Sequence, residues 1–296
     1  MPRRTEPYGY GTEHWSASRF MLFQQCPQAY KARYIDGVVS EPSLAMLFGH
    51  TVHTALEVLL QGQRGGCPMT AEPHTDHLEC ARARYWQEFE RARSLLEPQG
   101  VTLDGLVYFE GLRMIDQVYE LRLNDDRKSR SERRIRIPTR WGGLDWPVVG
   151  AVDLWCPPWS RNGAVIFDFK TTVGSWSAQR AEKETWQPLL YSWAYQRAYD
   201  QIPTFRYLVL NRMSGAVDTF DRTWTPSAFR DDLEALNDVA DAIAEAVKDG
   251  DFDCTKRHGT CLECGEAYGH DHVCRTPARH RRITLTGASS SQSYSG

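Results

Sequence analysis

Three side chains near the middle of the chain are of types that could do chemistry together. Asp153, Asp168 and Lys170 lie in VVGAVDLWCPPWSRNGAVIFDFK, residues 148–170. An apolar run through Val148, Val149, Ala151 and Val152 ends at Asp153, and a second run from Ala164 to Phe167 ends at Asp168. Pro157, Pro158, Ser160, Asn162 and Gly163 separate them, so the pair reads as two strands joined by a loop. Alternate strand residues share a face, so Asp168 and Lys170 point one way and Phe169 points into packing. If the strands are neighbours, two carboxylates and an ammonium meet. Such a set can hold Mg²⁺, which lowers the pKa of a bound water, with a group beside it to handle that water.

Cysteine supplies a second constellation. The chain has eight cysteines, and residues 252–274 read FDCTKRHGTCLECGEAYGHDHVC. The pair Cys261-x-x-Cys264 can grip one metal from a tight turn. Cys254 and Cys274 flank it, and together the four could form a zinc site, with His258, His270 and His272 as substitutes.

The surrounding elements must position these groups. Residues 16–25 and the stretch after Pro27 read as two short helices, with Ser16 or Ser18 as the first cap and Pro27 opening the second. Met46–Gln61 has an amphipathic helical pattern. His74–Leu96 and Leu103–Leu123 read as two longer helices, forming a helical insertion over about 74–123. Asn124 to Arg140 is basic, and Ile135–Ile137 begins a strand. After Lys170 a polar loop leads to a helix over Glu182–Tyr199, in which Pro188 predicts a late start or a kink. FRYLVL, residues 205–210, and residues 216–224 read as a hairpin. Ser227–Lys248 is an acidic helix. Residues 1–15 are expected to be a disordered arm and 283–296 a disordered tail, with a single domain between them over 16–282.

Bulk properties narrow the function classes. At 296 residues with 41% hydrophobic and 11% aromatic content, the chain can bury a sizeable core. Its net charge of −3 gives no overall attraction to nucleic acid, so any such contact needs a local patch such as the 124–140 run. No signal peptide and no membrane-length apolar segment is present, which leads to the expectation of a cytoplasmic protein with no membrane partner. In that compartment the cysteines are expected to be reduced or to bind metal rather than form disulfides.

Taken in order, the motifs resemble the PD-(D/E)XK nuclease superfamily and within it the RecB-like nucleases, including the AddB-type and CRISPR-associated (Cas-four-type) iron–sulfur exonucleases. Gly150-x-x-Asp153 and Asp168-x-Lys170 carry the superfamily pattern. Ser16-x-Ser18-x-Phe20 with Cys26-Pro27-x-x-Tyr30 resembles the N-terminal segment of the RecB-like chains, and Gly49-x-x-x-His53-x-x-Leu56-Glu57 their helix with a metal-binding histidine. Gln187-x-x-x-Tyr191 resembles the motif that follows the lysine in those families. His50 lies three residues before His53, but only His53 has the family's offset from Gly49 and Glu57. Glu132 is in line with an acidic residue often found there.

The resemblance implies an α/β core with a central mixed sheet flanked by helices, the helical insertion, and a C-terminal cysteine-rich metal-binding segment. It implies hydrolysis of DNA phosphodiester bonds by a Mg²⁺- or Mn²⁺-dependent exonuclease working on single-stranded ends, in recombination, repair or end processing of phage or CRISPR type. Asp153, Asp168 and Lys170 would be catalytic. His53, Asp153, Asp168 and the Phe169 carbonyl would hold the metal. Gln187, Tyr191, Arg133, Arg134 and Arg136 would contact DNA. Cys26, Cys261, Cys264 and Cys274 would hold a [4Fe–4S] cluster, with the zinc site of Cys254, Cys261, Cys264 and Cys274 as the alternative. Other partners would be recombination or CRISPR-adaptation proteins. The rival readings are a structure-specific or double-strand endonuclease of the same superfamily and a non-catalytic DNA-binding module with structural zinc.

Overall fold

Five strands form one mixed sheet in the order β1-β2-β3-β4-β5. The computed structural model describes residues 13–38, 42–61, 76–123 and 129–252. The strands are β1 (Arg130–Ile137), β2 (Val148–Cys156), β3 (Val165–Thr172), β4 (Thr204–Asn211) and β5 (Val217–Arg222). The helices are α1 (Ala17–Gln25), α2 (Pro27–Tyr30), α3 (Leu44–Gln61), α4 (His77–Leu96), α5 (Gly105–Glu120), α6 (Ala178–Lys183), α7 (Trp186–Tyr199) and α8 (Pro226–Asp249). A π-helical turn, Lys31–Ile35, continues α2.

Only β3 and β4 run parallel, because α6 and α7 between them form the crossover that parallel pairing requires. The period-two alternation on these two strands builds the layers. Ile166, Tyr207 and Val209 pack with residues of α1, α7 and α8 on one face. Phe167, Phe169, Leu208 and Leu210 pack with α3, α4 and α5 on the other. The fold is therefore the α/β architecture read from the motifs, a mixed sheet flanked by helices. Among the described residues no helix is long and apolar enough to cross a membrane.

Side-chain caps set several helix starts. Asp76 accepts from Leu78 N at 3.0 Å, Asp104 from Val107 N at 3.0 Å and Thr225 from Ala228 N at 3.2 Å; each satisfies a first-turn donor that has no intrahelical partner. α5 is also tied to the turn between β4 and β5. Glu110 pairs with Arg212 at 2.7 Å, Gln117 donates to the Gly215 carbonyl and Arg113 to the Arg212 carbonyl.

Three expectations are corrected. The helix expected over Glu182–Tyr199 is two helices, α6 and α7; the late start expected from Pro188 is found, since α7 begins at Trp186 and Pro188 sits in its first turn, where its missing N–H has no role. Within the expected N-terminal arm, Trp15 is buried. Its N–H donates to the Pro147 carbonyl at 2.9 Å and its carbonyl accepts from Val149 N at 2.9 Å, while Phe20, Trp141 and Trp146 enclose its ring. Burial of a large aromatic ring offsets the ordering cost that would otherwise leave this segment loose. Cys80 is disulfide-bonded, against the expectation of reduced cysteines.

Candidate active site

The site lies at a fork in the sheet. β2 and β3 pair as Cys156↔Val165, Trp155↔Ile166 and Leu154↔Phe167, and there the ladder stops. The next pair in the same register would be Asp153 and Asp168. Like charges directly opposite each other on adjacent strands repel, and here the strands part. Beyond the fork β2 remains paired with β1 down to Ile137↔Val148. Two side chains satisfy backbone groups released by the opening. Asp153 Oδ2 accepts from Phe169 N at 2.7 Å, and the Tyr191 hydroxyl donates to the Ala151 carbonyl at 2.9 Å. A strand residue directs its N–H and C=O to the same side, so the Phe169 carbonyl also faces the fork.

Gly150 has a definite task beside this opening. A Cβ there would lie 2.6 Å from Tyr191 Cε1 and 3.0 Å from its hydroxyl. Only glycine lets the Tyr191 ring lie flat on β2 and reach Ala151.

α3 brings in the histidine. His53 Nδ1 lies 3.3 Å from Asp153 Oδ1, and its ring meets the Phe169 ring edge-on at 6.5 Å. His50, one turn earlier, is exposed. Gly49 lets the helix approach β3, since a Cβ there would stand 3.3 Å from Thr171 Oγ1.

Asp168, Lys170 and Gln187 close a ring of polar contacts. The Lys170 ammonium lies 2.8 Å from Asp168 Oδ2 and donates to Gln187 Oε1 at 2.8 Å. Gln187 Nε2 donates to Asp168 Oδ1 at 2.8 Å. Gln187 and Tyr191, expected to contact DNA, therefore turn inward, one on the carboxylate–ammonium pair and the other on the β2 backbone. The reason is their place on α7, whose buried face packs on the sheet. Arg133 is also engaged, stacked 4.3 Å over Trp155 and 3.5 Å from the Tyr199 hydroxyl. Arg134 and Arg136 are exposed on the edge strand β1.

The electrostatics separate the two carboxylates. Burial raises the Asp168 pKa to about 6, and the nearby Asp153 charge adds to this while Lys170 opposes it. Burial also acts to raise Asp153, but the His53 charge and hydrogen bond, the Phe169 N–H and Lys170 prevail and hold it below the usual carboxylate range. Burial works against a charged His53, yet Asp153 and then Asp168 raise its pKa. Lys170 is likewise raised, with Asp168 outweighing burial. Titratable groups pushed apart in one cluster make it a candidate functional site.

Two further acids border the site. Glu132 is pushed up to about 7, by burial first and then by Asp153 and Glu57. It adopts φ 43° in the middle of β1, a left-handed conformation uncommon for a residue other than glycine. Glu57 is the second; its spacing of four from His53 puts both on one face of α3, a signal present in the sequence.

The donor set fits a hard divalent cation. Two carboxylates, one imidazole and a backbone carbonyl are oxygen-rich ligands of the kind Mg²⁺ and Mn²⁺ take. Asp168 is buried, and its Oδ2 faces the Lys170 ammonium, a cation, at 2.8 Å. Among the described residues no three His, Cys, Asp or Glu side chains are already closed around a common metal position. In the expected cluster, Cys26 is buried and accepts from Ala29 N at 3.5 Å, while Cys254, Cys261, Cys264 and Cys274 lie outside the described residues.

The model of the PD-(D/E)XK nuclease superfamily matches residues 14–274. The chain belongs to the PD-(D/E)XK nuclease superfamily. Its fold is similar to a crystal structure from Eubacterium rectale, provisionally described as an exonuclease. That match has 12% identity and a TM-score of 0.55 over 93% of this chain and 96% of that one. The crystal structure of SSO0001 aligns over 61% of this chain and 72% of that one, at 12% identity and a TM-score of 0.30. No curated protein gives a significant match. Membership supports nuclease activity, hydrolytic in type, with DNA as the substrate class and a divalent metal as the usual requirement of the superfamily.

Proposed function

We propose that this superfamily member is a Mg²⁺- or Mn²⁺-dependent exonuclease that hydrolyses phosphodiester bonds at single-stranded DNA ends in recombination, repair or end processing. The observation that carries the reading is the meeting of His53, Asp153, Asp168 and Lys170 at the β2–β3 fork, although His53 stands one hundred residues from Asp153 in sequence.

Asp153, Asp168, His53 and the Phe169 carbonyl would hold the metal, which supplies an activated water and offsets charge on the phosphorane-like transition state. Lys170 orients the attacking water or stabilises that charge at its ammonium. Gln187 holds Lys170 and Asp168 in mutual register, and Tyr191 fixes the β2 backbone next to Asp153, so both act through the catalytic groups. Arg134 and Arg136 give the DNA strand phosphate contacts along the exposed β1 edge. Cys26, Cys261, Cys264 and Cys274 would hold a [4Fe–4S] cluster. In its support, Phe252, two residues before Cys254, stacks on Tyr30 beside Cys26 at a ring distance of 6.2 Å.

The test is degradation of end-labelled and circular single-stranded DNA with Mg²⁺, Mn²⁺ or EDTA. Progressive shortening of the linear strand, metal-dependent and absent on circles, is expected. Equal cutting of circles would replace the exonuclease reading with an endonuclease one. Iron analysis of anaerobically purified protein tests the second centre, with about four irons per chain expected and about one zinc deciding for the alternative.

A further inference from the structure

On the face of the sheet away from α3, α8 carries a row of acids that has no cationic partner among the described residues. Three acids, Asp238, Glu245 and Asp249, recur with Ala242 between the first two at spacings of four, three and four residues, so the four positions form one stripe along the helix. All four are exposed. Glu245 and Asp249 are like charges one turn apart, a pairing that weakens a helix. Beside the row lie two shallow, open depressions that share part of their lining. The first, of about 260 Å³, is lined by Phe23, Pro27, Val239 and Ala242 and bordered by Asp238. The second, of about 320 Å³, shares Phe23, Pro27 and Ala242, adds Ala246 and Phe252, and is bordered by Glu245, Asp249 and Asp251. An apolar floor with an acidic rim fits a basic segment that also carries apolar side chains, and it repels nucleic-acid phosphates.

We propose that these depressions are the seat of the chain's own segment 275–285, RTPARHRRITL. Three observations select it. The described chain leaves the structure at the second depression, since Phe252 lines it. Segment 275–285 carries Arg275, Arg279, Arg281 and Arg282, no acid, and then Ile283 and Leu285. The intervening residues 253–274 instead carry Asp253, Glu263, Glu266 and Asp271 against Lys256 and Arg257, the wrong sign for this rim. Reach is sufficient: 22 residues extend to about 70 Å, roughly twice the length of α8, about 36 Å. The arginines then lie on Asp238, Glu245 and Asp249, and Ile283 and Leu285 enter between Phe23 and Ala242. The proposal does not depend on the nuclease reading.

Hydrogen exchange read by mass spectrometry on the full-length protein tests it, without DNA and at low salt. Amides of 279–285 should exchange at least about tenfold more slowly than in the free peptide 275–285. That protection should vanish at about 1 M salt, where the Debye length falls to about 3 Å. Glu245→Lys with Asp249→Lys should abolish it, as should Arg279→Glu with Arg282→Glu. Combining all four changes should restore it, since the charges are then exchanged. Should the α8 variant fail to fold, the tail variant alone gives the reading, because it alters no described residue. Free-peptide exchange rates in the wild type would overturn the proposal, and so would protection indifferent to the reversals. Protection that rises with protein concentration would assign the depressions to a second copy, and protection seen only with added single-stranded DNA would assign the tail to nucleic acid; either result overturns it.

Discussion

Gly150→Ala probes the fork most directly. The added methyl would stand 2.6 Å from Tyr191 Cε1, about 1 Å inside ordinary contact. Tyr191 is buried between β2 and the α7 core, so it cannot swing into solvent. Overpacking of this kind costs about 1–3 kcal/mol. If the ring shifts enough to release the Ala151 carbonyl, the lost hydrogen bond adds about 1 kcal/mol. A total of roughly 2–4 kcal/mol is a large share of the stability of a typical domain. Denaturant unfolding should show it as a lowered midpoint with an unchanged slope. The same shift moves β2 near Asp153, so cleavage of end-labelled DNA should fall by about 100-fold, the penalty for misplacing a reacting group by about 1 Å. The double variant Gly150→Ala with Tyr191→Leu should lose less than the sum of the two single losses, because the clash exists only between the pair. Wild-type stability and rate in Gly150→Ala, or strict additivity in the double variant, would refute the account of Gly150 and Tyr191.

Other outcomes follow from the same geometry. Asp168→Asn and Lys170→Met should each reduce cleavage at least about 1000-fold with circular dichroism unchanged; normal rates in folded protein would remove the proposed site. In EDTA, Asp168 should make stability fall as pH rises from 3.8 towards about 6. The folded state keeps the proton over that window while the unfolded chain releases it, so the slope is negative. Asp168→Asn should flatten the slope, as unfolding midpoints at several pH values would reveal. Glu110→Ala should destabilise by about 1–3 kcal/mol by leaving Arg212 half-buried without its partner, seen as a lower melting temperature. Arg134→Glu with Arg136→Glu should weaken DNA binding and make it less salt-dependent, because fewer counterions are released; titrations at several salt concentrations measure that slope.

The sequence by itself determined the elements and the motifs. Period-two alternation marked β3, so Asp168 and Lys170 were legible as neighbours on one face. The Met46–Gln61 pattern read as a helix carrying His53, and the order of motifs identified the superfamily. These features are local, fixed by backbone geometry within a few residues.

What only the tertiary structure decided depends on groups far apart in the chain. The β2–β3 ladder stops one pair before Asp153 and Asp168, and the carboxylates then serve the opened backbone. No spacing rule states where a ladder ends. Gln187 and Tyr191 carried the motif, but which face of α7 meets the sheet is a packing outcome. Arg133 looked like its neighbours Arg134 and Arg136 until Trp155 appeared beneath it. Trp15 looked like part of a loose arm because its partners, Phe20 apart, are Val148, Trp141 and Trp146, more than a hundred residues away. Burial and long-range pairing set these roles, and both arise only when the chain closes on itself.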